Sequence, residues 1–199
     1  MATAIIQARI SSSRLPGKVL LEIDGTPILS KMIDRVKKAK YVEEIVIATS
    51  TDPSDDPIEA YAKANNIPLE RGSLNDVLDR YYQAAKRRKA KTIIRLTGDC
   101  PLIDPEVIDL MVLSFRQNQC DYISNTAPSE SSTYPDGMDV EIFSMNALER
   151  SWKEAKKPSE REHVTFYFWK NPHLFKTHQV ILNRNLSNYR VTVDYQEDC

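Results

Sequence analysis

Arg9, Arg14 and Lys18 stand at spacings of five and four within Thr3–Lys18, TAIIQARISSSRLPGK. Two guanidinium forks and an ammonium on one polar stretch suit an anion of several charges. The forks take oxygens in pairs and the lysine adds a compact point charge. A nucleoside triphosphate is such an anion. Gly17 leaves the backbone open to close approach by phosphate oxygens, and nearby amides can share the charge. The pattern GxxxxGK[ST] of a P-loop is absent. On spacing alone, a solvated basic loop accounts for the same residues equally well.

A second set of candidates is acidic. Asp99 follows the apolar run TIIRLT, and Asp194 follows YRVTV, ninety-five positions later. A carboxylate just past the carboxyl end of a strand lies in the crevice where open α/β sheets bind ligands. Mg²⁺ prefers oxygen ligands and needs only one or two protein carboxylates beside substrate phosphates, so Asp99 and Asp194 are candidate metal ligands. The alternative for Asp194 is a cap on the last turn. Asp139 and Glu141 alternate with Val140 and Ile142, which places both acids on one face of a strand. An exposed edge that discourages strand pairing would carry the same pattern. Arg161, Glu162 and His163 fall near the first turn of a helix opened by Pro158, where they could face a ligand at its N-terminus.

The elements that must position these groups follow a βαβ rhythm. Ala4–Ile6 reads as a buried strand that runs into the cationic loop, and Asp24-Gly25 as a turn. Thr26-Pro27 opens a helix to about Lys40, with Ile28, Leu29, Met32, Ile33 and Val36 as its core stripe. Glu43–Ser50 is a strand, Asp55–Asn65 a helix, Ile67–Glu70 a short extended piece and Asn75–Lys89 a helix with a basic end. Thr92–Thr97 is the third strong strand. Asp104 before Pro105 caps the next helix, Val107–Gln117, and Asp121–Asn125 is a short strand. Asn146–Lys156 is an amphipathic helix, and Leu174–Leu182 and Tyr189–Asp194 are the last strands.

With 199 residues, 41% hydrophobic and 28% charged, the chain suits one globular domain with a sizeable core. A net charge of −1 gives no reason to expect nucleic acid or an anionic membrane as a partner; the positive charge that matters is local. Cys100, Cys120 and Cys199 are odd in number and lack paired short spacing, which argues against a disulfide framework or a zinc site and fits a reducing cytoplasm. No stretch approaches the roughly 20 apolar residues that span a bilayer.

The opening QARISSSRLPGKVLLEIDGTPIL is similar to the signature of the cytidylyltransferases that make CMP-linked acidic sugars, roughly I-x-A-R-x-x-S-x-R-L-P-G-K. Ala8, Arg9, Ser12, Arg14, Leu15, Pro16, Gly17 and Lys18 match it. RGSLNDVLDRYY, RLTGDCPLIDP, DGMDVEIFS and SEREHVT resemble the branch related to spore-coat polysaccharide biosynthesis protein F, so the likeness covers nearly the whole chain. The ending VDYQEDC departs from the usual V-D-T-P-E-D-L at Tyr195 and Gln196, and relatives usually continue into one more helix.

The resemblance implies a three-layer α/β/α fold with a mostly parallel mixed sheet, of the nucleotide-diphospho-sugar transferase (glycosyltransferase A) type, over residues 1–199. It implies Mg²⁺-dependent transfer of CMP from CTP to a sugar or sugar-acid acceptor in surface polysaccharide synthesis, with release of pyrophosphate. Ala8, Arg9, Ser12, Arg14, Gly17, Lys18, Arg71, Gly72 and Ser73 would bind the nucleotide, although Ser73 or Asn75 could instead cap the following helix. Arg9, Arg14 and Lys18 would be catalytic and Asp99 and Asp194 would hold the metal. Asp139, Glu141, Arg161 and His163 would bind the acceptor, and the chain would pair as a homodimer through Thr126–Pro135. A glycosyltransferase that uses a preformed nucleotide sugar is disfavoured by the lack of a clear D-x-D motif, and a non-catalytic nucleotide-binding protein is the remaining alternative.

Overall fold

The computed structural model describes residues 2–12 and 14–199. Strand β1 (Ala2–Gln7) is followed by a two-strand hairpin, β2 (Glu22–Ile23) and β3 (Thr26–Pro27), and by α1 (Ile28–Val36). Next come β4 (Val42–Ser50), α2 (Asp56–Ala64), β5 (Leu69–Gly72), α3 (Val77–Arg87), β6 (Thr92–Thr97) and α4 (Pro105–Asn118). The remainder is β7 (Tyr122–Ser124), β8 (Glu141–Ser144), α5 (Met145–Glu154), α6 (Pro158–Glu162), α7 (Phe166–Lys170) and β9 (Thr177–Gln179).

A seven-stranded sheet has the order β5-β4-β1-β6-β8-β7-β9. β5, β4, β1 and β6 run parallel, and β8 enters antiparallel to both β6 and β7. Alternation along the strands sends side chains to opposite faces. Ala4 and Ile6 of β1 join Ile47, Ile94 and Leu96 with residues of α1, α2 and α4 in one buried layer. Ile5 joins Ala48, Ile93, Tyr122 and Phe143 with residues of α3, α5 and α7 in the other. Three layers result, and the loops leaving the carboxyl ends of β1, β4, β5 and β6 meet at one edge, as expected of a mostly parallel sheet.

Local chemistry explains most boundaries. Asp104 caps α4 by accepting from the Glu106 amide, and Ser144 caps α5 through Ala147. The hairpin turn places Asp24 at φ 53° and Gly25 at φ 70°, the two left-handed residues of a tight hairpin. That hairpin corrects the expected start of α1: Thr26 and Pro27 pair with Ile23 and Glu22, and the helix begins only at Ile28. For α3 the cap is neither Ser73 nor Asn75 but Asp76, whose carboxylate accepts from the Asp79 amide. The helix opened by Pro158 closes after five residues, so Arg161 and His163 lie at its end.

Tyr189–Asp194 is also corrected. It forms no sheet strand; a single bridge joins Arg190 to Asp136. The segment is instead laid on the loops of other elements. Val191 donates to the Asp136 carbonyl at 2.8 Å, and the Val193 amide and Thr192 hydroxyl both donate to the Asp99 carbonyl, at 2.9 and 3.1 Å. Gly137 makes this contact possible: a Cβ there would lie 2.6 Å from the Thr192 nitrogen, and its φ is +95°.

Candidate active site

The cationic loop is a built turn. The Ile10 carbonyl accepts from the amides of both Ser12 and Gly17, at 2.8 and 2.9 Å, which brings these two residues to one oxygen. Gly17 then takes φ 75° and opens a 3₁₀ turn over Lys18–Leu20. A side chain at Gly17 would touch no protein atom within 4 Å, so the glycine serves the left-handed backbone and leaves the space beside it open. Asp55, fully buried, anchors the loop from outside. One of its oxygens accepts from the Ile10 amide at 2.7 Å, and the other from the Ser50 amide and hydroxyl, at 3.2 and 2.5 Å.

From that turn Lys18 reaches inward, and it is 7% exposed. Its ammonium donates to Asp99 Oδ2 at 2.6 Å, Asp194 Oδ1 at 2.8 Å and the Val193 carbonyl at 2.9 Å. Arg14, still half exposed, donates to the same Asp194 oxygen at 2.6 Å. Burial by itself would lower the pKa of Lys18, but the hydrogen bonds and charges of Asp194 and Asp99 outweigh it and hold the ammonium above its usual value. At Asp194 burial works against ionisation, yet Lys18 and Arg14 keep the carboxylate below its usual range. Two predicted phosphate-binding cations and two predicted metal-binding acids are thus one cluster.

The cleft above this cluster is lined by Gln7, Ala8, Arg9, Ser12, Arg14, Lys18, Val19, Thr97, Gly98 and Asp99. Gly98 is the close-packed glycine here, since a Cβ on it would lie 3.2 Å from both Ala8 Cβ and the Gln7 carbonyl oxygen. Five of the expected nucleotide-binding residues, Ala8, Arg9, Ser12, Arg14 and Lys18, line the cleft.

Arg71, Gly72 and Ser73 are outside that lining. Arg71 is engaged by the Ser50 and Asp52 carbonyls, Asp56 and Glu59. Gly72 lacks a side chain because Arg80 Cγ sits 3.0 Å from where its Cβ would be, and the guanidinium of buried Arg80 takes the Ser73 and Leu74 carbonyls, at 2.7 and 3.1 Å. These contacts shape a loop beside the cleft.

The four residues expected at the acceptor fall into two places. Asp139 precedes β8, so it does not share a strand face with Glu141. Its carboxylate accepts from the Gly137 amide at 2.9 Å, and burial raises its pKa despite that bond and one from Thr126. Glu141, 6% exposed, is held by an ion pair with Arg95 and by the Tyr122 hydroxyl at 2.5 Å. Arg161 is engaged by Asp76, with Nη2 to Oδ2 at 2.6 Å, and by the Trp152 carbonyl at 2.7 Å. His163 is exposed and stacks on Phe166 at 4.4 Å. No hydrogen bond or ion pair among the described residues joins these two places. Burial and a paired position, which sequence spacing does not carry, separate them.

The sequence reading passed over Gln7, Val19, Thr97 and Gly98 in the cleft wall, and Asp55 and Arg80 behind it. A signal existed for Gln7 and Thr97, the last residues of strands that run straight into the two site loops.

A model of the family described as cytidylyltransferase matches residues 3–198. The spore coat polysaccharide biosynthesis protein SpsF of Bacillus subtilis is 34% identical over 203 residues, 98% of this chain and 81% of its own. The structure of a cytidylyltransferase from Leptospira borgpetersenii superposes with a TM-score of 0.92 at 41% identity, covering 100% of this chain and 83% of that one. A structure of CMP:2-keto-3-deoxy-manno-octonic acid synthetase complexed with CTP shares the fold at a TM-score of 0.72 and 17% identity, over 99% of this chain and 95% of that one. No helix among the described residues is long and apolar enough to cross a membrane.

Proposed function

The chain belongs to the cytidylyltransferase family and is a nucleotidyltransferase, and from that premise we propose that it transfers CMP from CTP to a small sugar or sugar-acid acceptor with release of pyrophosphate. The observation that carries this reading is the Lys18 ammonium bridging Asp99 and Asp194 at the floor of a cleft walled by Arg9 and Arg14. An oxygen of the acceptor attacks the α-phosphorus in line, and the enzyme's task is to position the two reactants and offset charge on the phosphates. Arg9, Arg14 and Lys18 hold the phosphates and stabilise the departing pyrophosphate.

The acid pair also suits a divalent cation. Asp99 Oδ2 and Asp194 Oδ1 lie 2.6 and 2.8 Å from one shared point, now taken by the ammonium, so two carboxylates converge where one hard ion could sit. Asp99 and Asp194 would hold Mg²⁺ there, and the ion would supply neutralisation of phosphate charge. Lys18 and Arg14 offset that acid charge within the protein alone.

For the acceptor, half-buried Asp139, beside the Asp136–Gly137 turn that packs on Thr192, has the most support of the four proposed contacts, whereas Glu141 is spent on Arg95 and Tyr122 and Arg161 on Asp76. Calorimetry with CTP, ATP, GTP and UTP in Mg²⁺ tests the nucleotide; equally weak binding of all four sinks the base assignment. Pyrophosphate release with CTP and a panel of sugar acids then tests the transfer.

A further inference from the structure

Gln7 ends β1 in the wall of the cleft, on the sheet face shared with Ile5 and α3. Its carboxamide oxygen accepts from Arg95 Nη2 at 3.5 Å. A guanidinium only donates, so its nearness favours the amide orientation with Oε1 towards Arg95 and Nε2 turned away. Arg95 cannot easily swing aside. It pairs with Glu141 inside the sheet, Glu141 is held in turn by the Tyr122 hydroxyl at 2.5 Å, and the Arg95 guanidinium stacks against the Tyr81 ring, 5.9 Å from its centroid. Nε2 of Gln7 donates to no acceptor among the described residues. A chain of four side chains, Tyr122 and Glu141 buried and Arg95 and Gln7 partly buried, therefore ends in one amide donor at the cleft, in line with Arg9 and across from Thr97.

We propose that Gln7 is a specificity-determining residue whose Nε2 donates to an oxygen of the bound nucleotide, with Arg95, Glu141 and Tyr122 as the residues that fix its orientation. The inference rests on the nucleotidyltransferase reading of the same cleft. Unlike Arg9, Arg14 and Lys18, Gln7 is uncharged, so it rewards the correct placement of one oxygen and not charge in general.

Gln7→Glu is the decisive variant. It keeps the shape and an oxygen for Arg95, so a role in packing alone would survive it, but it replaces the donor at the cleft with a negatively charged acceptor. Calorimetry of CTP in Mg²⁺, run beside a melting curve, is expected to show a melting temperature no lower than that of the parent chain and CTP binding at least tenfold weaker. Gln7→Met, which lacks both donor and charge, is expected to bind CTP several-fold more weakly. CMP and pyrophosphate titrated separately identify which half of the nucleotide loses the contact. CTP binding within twofold of the parent in both variants overturns the inference while leaving the functional reading intact. A parent chain that binds no triphosphate overturns both.

Discussion

Lys18 has two roles that cannot be filled at once: it closes the acid pair in the protein alone, and it is the proposed partner of the phosphates. Arg14→Ala and Lys18→Ala should each cost about 2–4 kcal/mol in transition-state stabilisation, read from kcat/KM, because each leaves pyrophosphate charge unmatched. The stability effects should differ. Lys18→Ala abandons two carboxylates inside the fold, whereas half-exposed Arg14 leaves little behind, so only Lys18→Ala should lower the melting temperature clearly.

The clasp also sets a pH window. Asp194 is held below its usual pKa, so its contribution is present above about pH 4 and is lost as pH falls through its lowered value. Lys18 is held above its usual value, so its contribution is complete below about pH 10 and is lost as pH rises through its raised value. The gap in melting temperature between the parent chain and Lys18→Met should narrow towards pH 3 and towards pH 11; a constant gap would refute the clasp. Asp139 has the opposite sign to Asp194. Burial raises its pKa, so its ionised form strains the fold, and Asp139→Asn should raise the melting temperature at neutral pH while keeping an acceptor for the Gly137 amide.

Loops from separate strands and one extended segment meet at the sheet edge, and the cationic loop and the extended segment are each tied by a group distant in sequence. Asp55 ties the cationic loop to the end of β4 with three hydrogen bonds, all inside the protein. Asp55→Ala leaves the amides of Ile10 and Ser50 without their acceptor and should cost about 2–4 kcal/mol of stability in urea unfolding, with a raised KM for CTP as the loop loosens. An unchanged KM at reduced stability would confine Asp55 to a structural part. Gly137 ties the Val191–Asp194 segment to the turn before β8. Gly137→Ala places a methyl group against the Thr192 backbone in a left-handed conformation, so it should cost about 1–3 kcal/mol and pull Asp194 off Lys18.

For the molecule as a whole, the charge pattern matters more than the net charge. The acid pair faces Asp136, whose own pKa is raised by burial and by Asp139, Asp194 and Asp99, so acid charge is concentrated behind the cationic loop. Nucleotide without metal meets those acids as repulsion, and CTP affinity should fall at least tenfold when Mg²⁺ is removed with EDTA, while Asp99→Asn/Asp194→Asn should lose most of that metal dependence. Independent, additive losses in the two single variants would argue against a shared ion. The proposed homodimer is a separate question. β9 is an edge strand, and Ile181 just beyond it is 60% exposed beside the Thr126–Pro135 loop. Light scattering at micromolar concentration should give twice the 22.8 kDa chain mass.

Periodicity marked the central strands and most helices of this protein, and the family resemblance implied their three-layer arrangement. Ile-rich runs gave the central strands, stripes such as Ile28–Val36 gave the helices, and Asp104-Pro105 gave the start of α4, because each depends on neighbours within a few residues. The cationic loop and the two acids were legible as residue types, and the resemblance of the opening signature gave them a family. What required the tertiary structure was every pairing across the chain. Lys18 meets Asp194 from 176 positions away, Asp139 and Glu141 part at the start of β8, and Tyr189–Asp194 reaches the site on backbone bonds to Asp99 and Asp136 without joining the sheet. Sequence spacing fixes which groups can be neighbours on one helix or strand. Which charges are buried, and against what, is decided only when loops from separate strands converge on one edge.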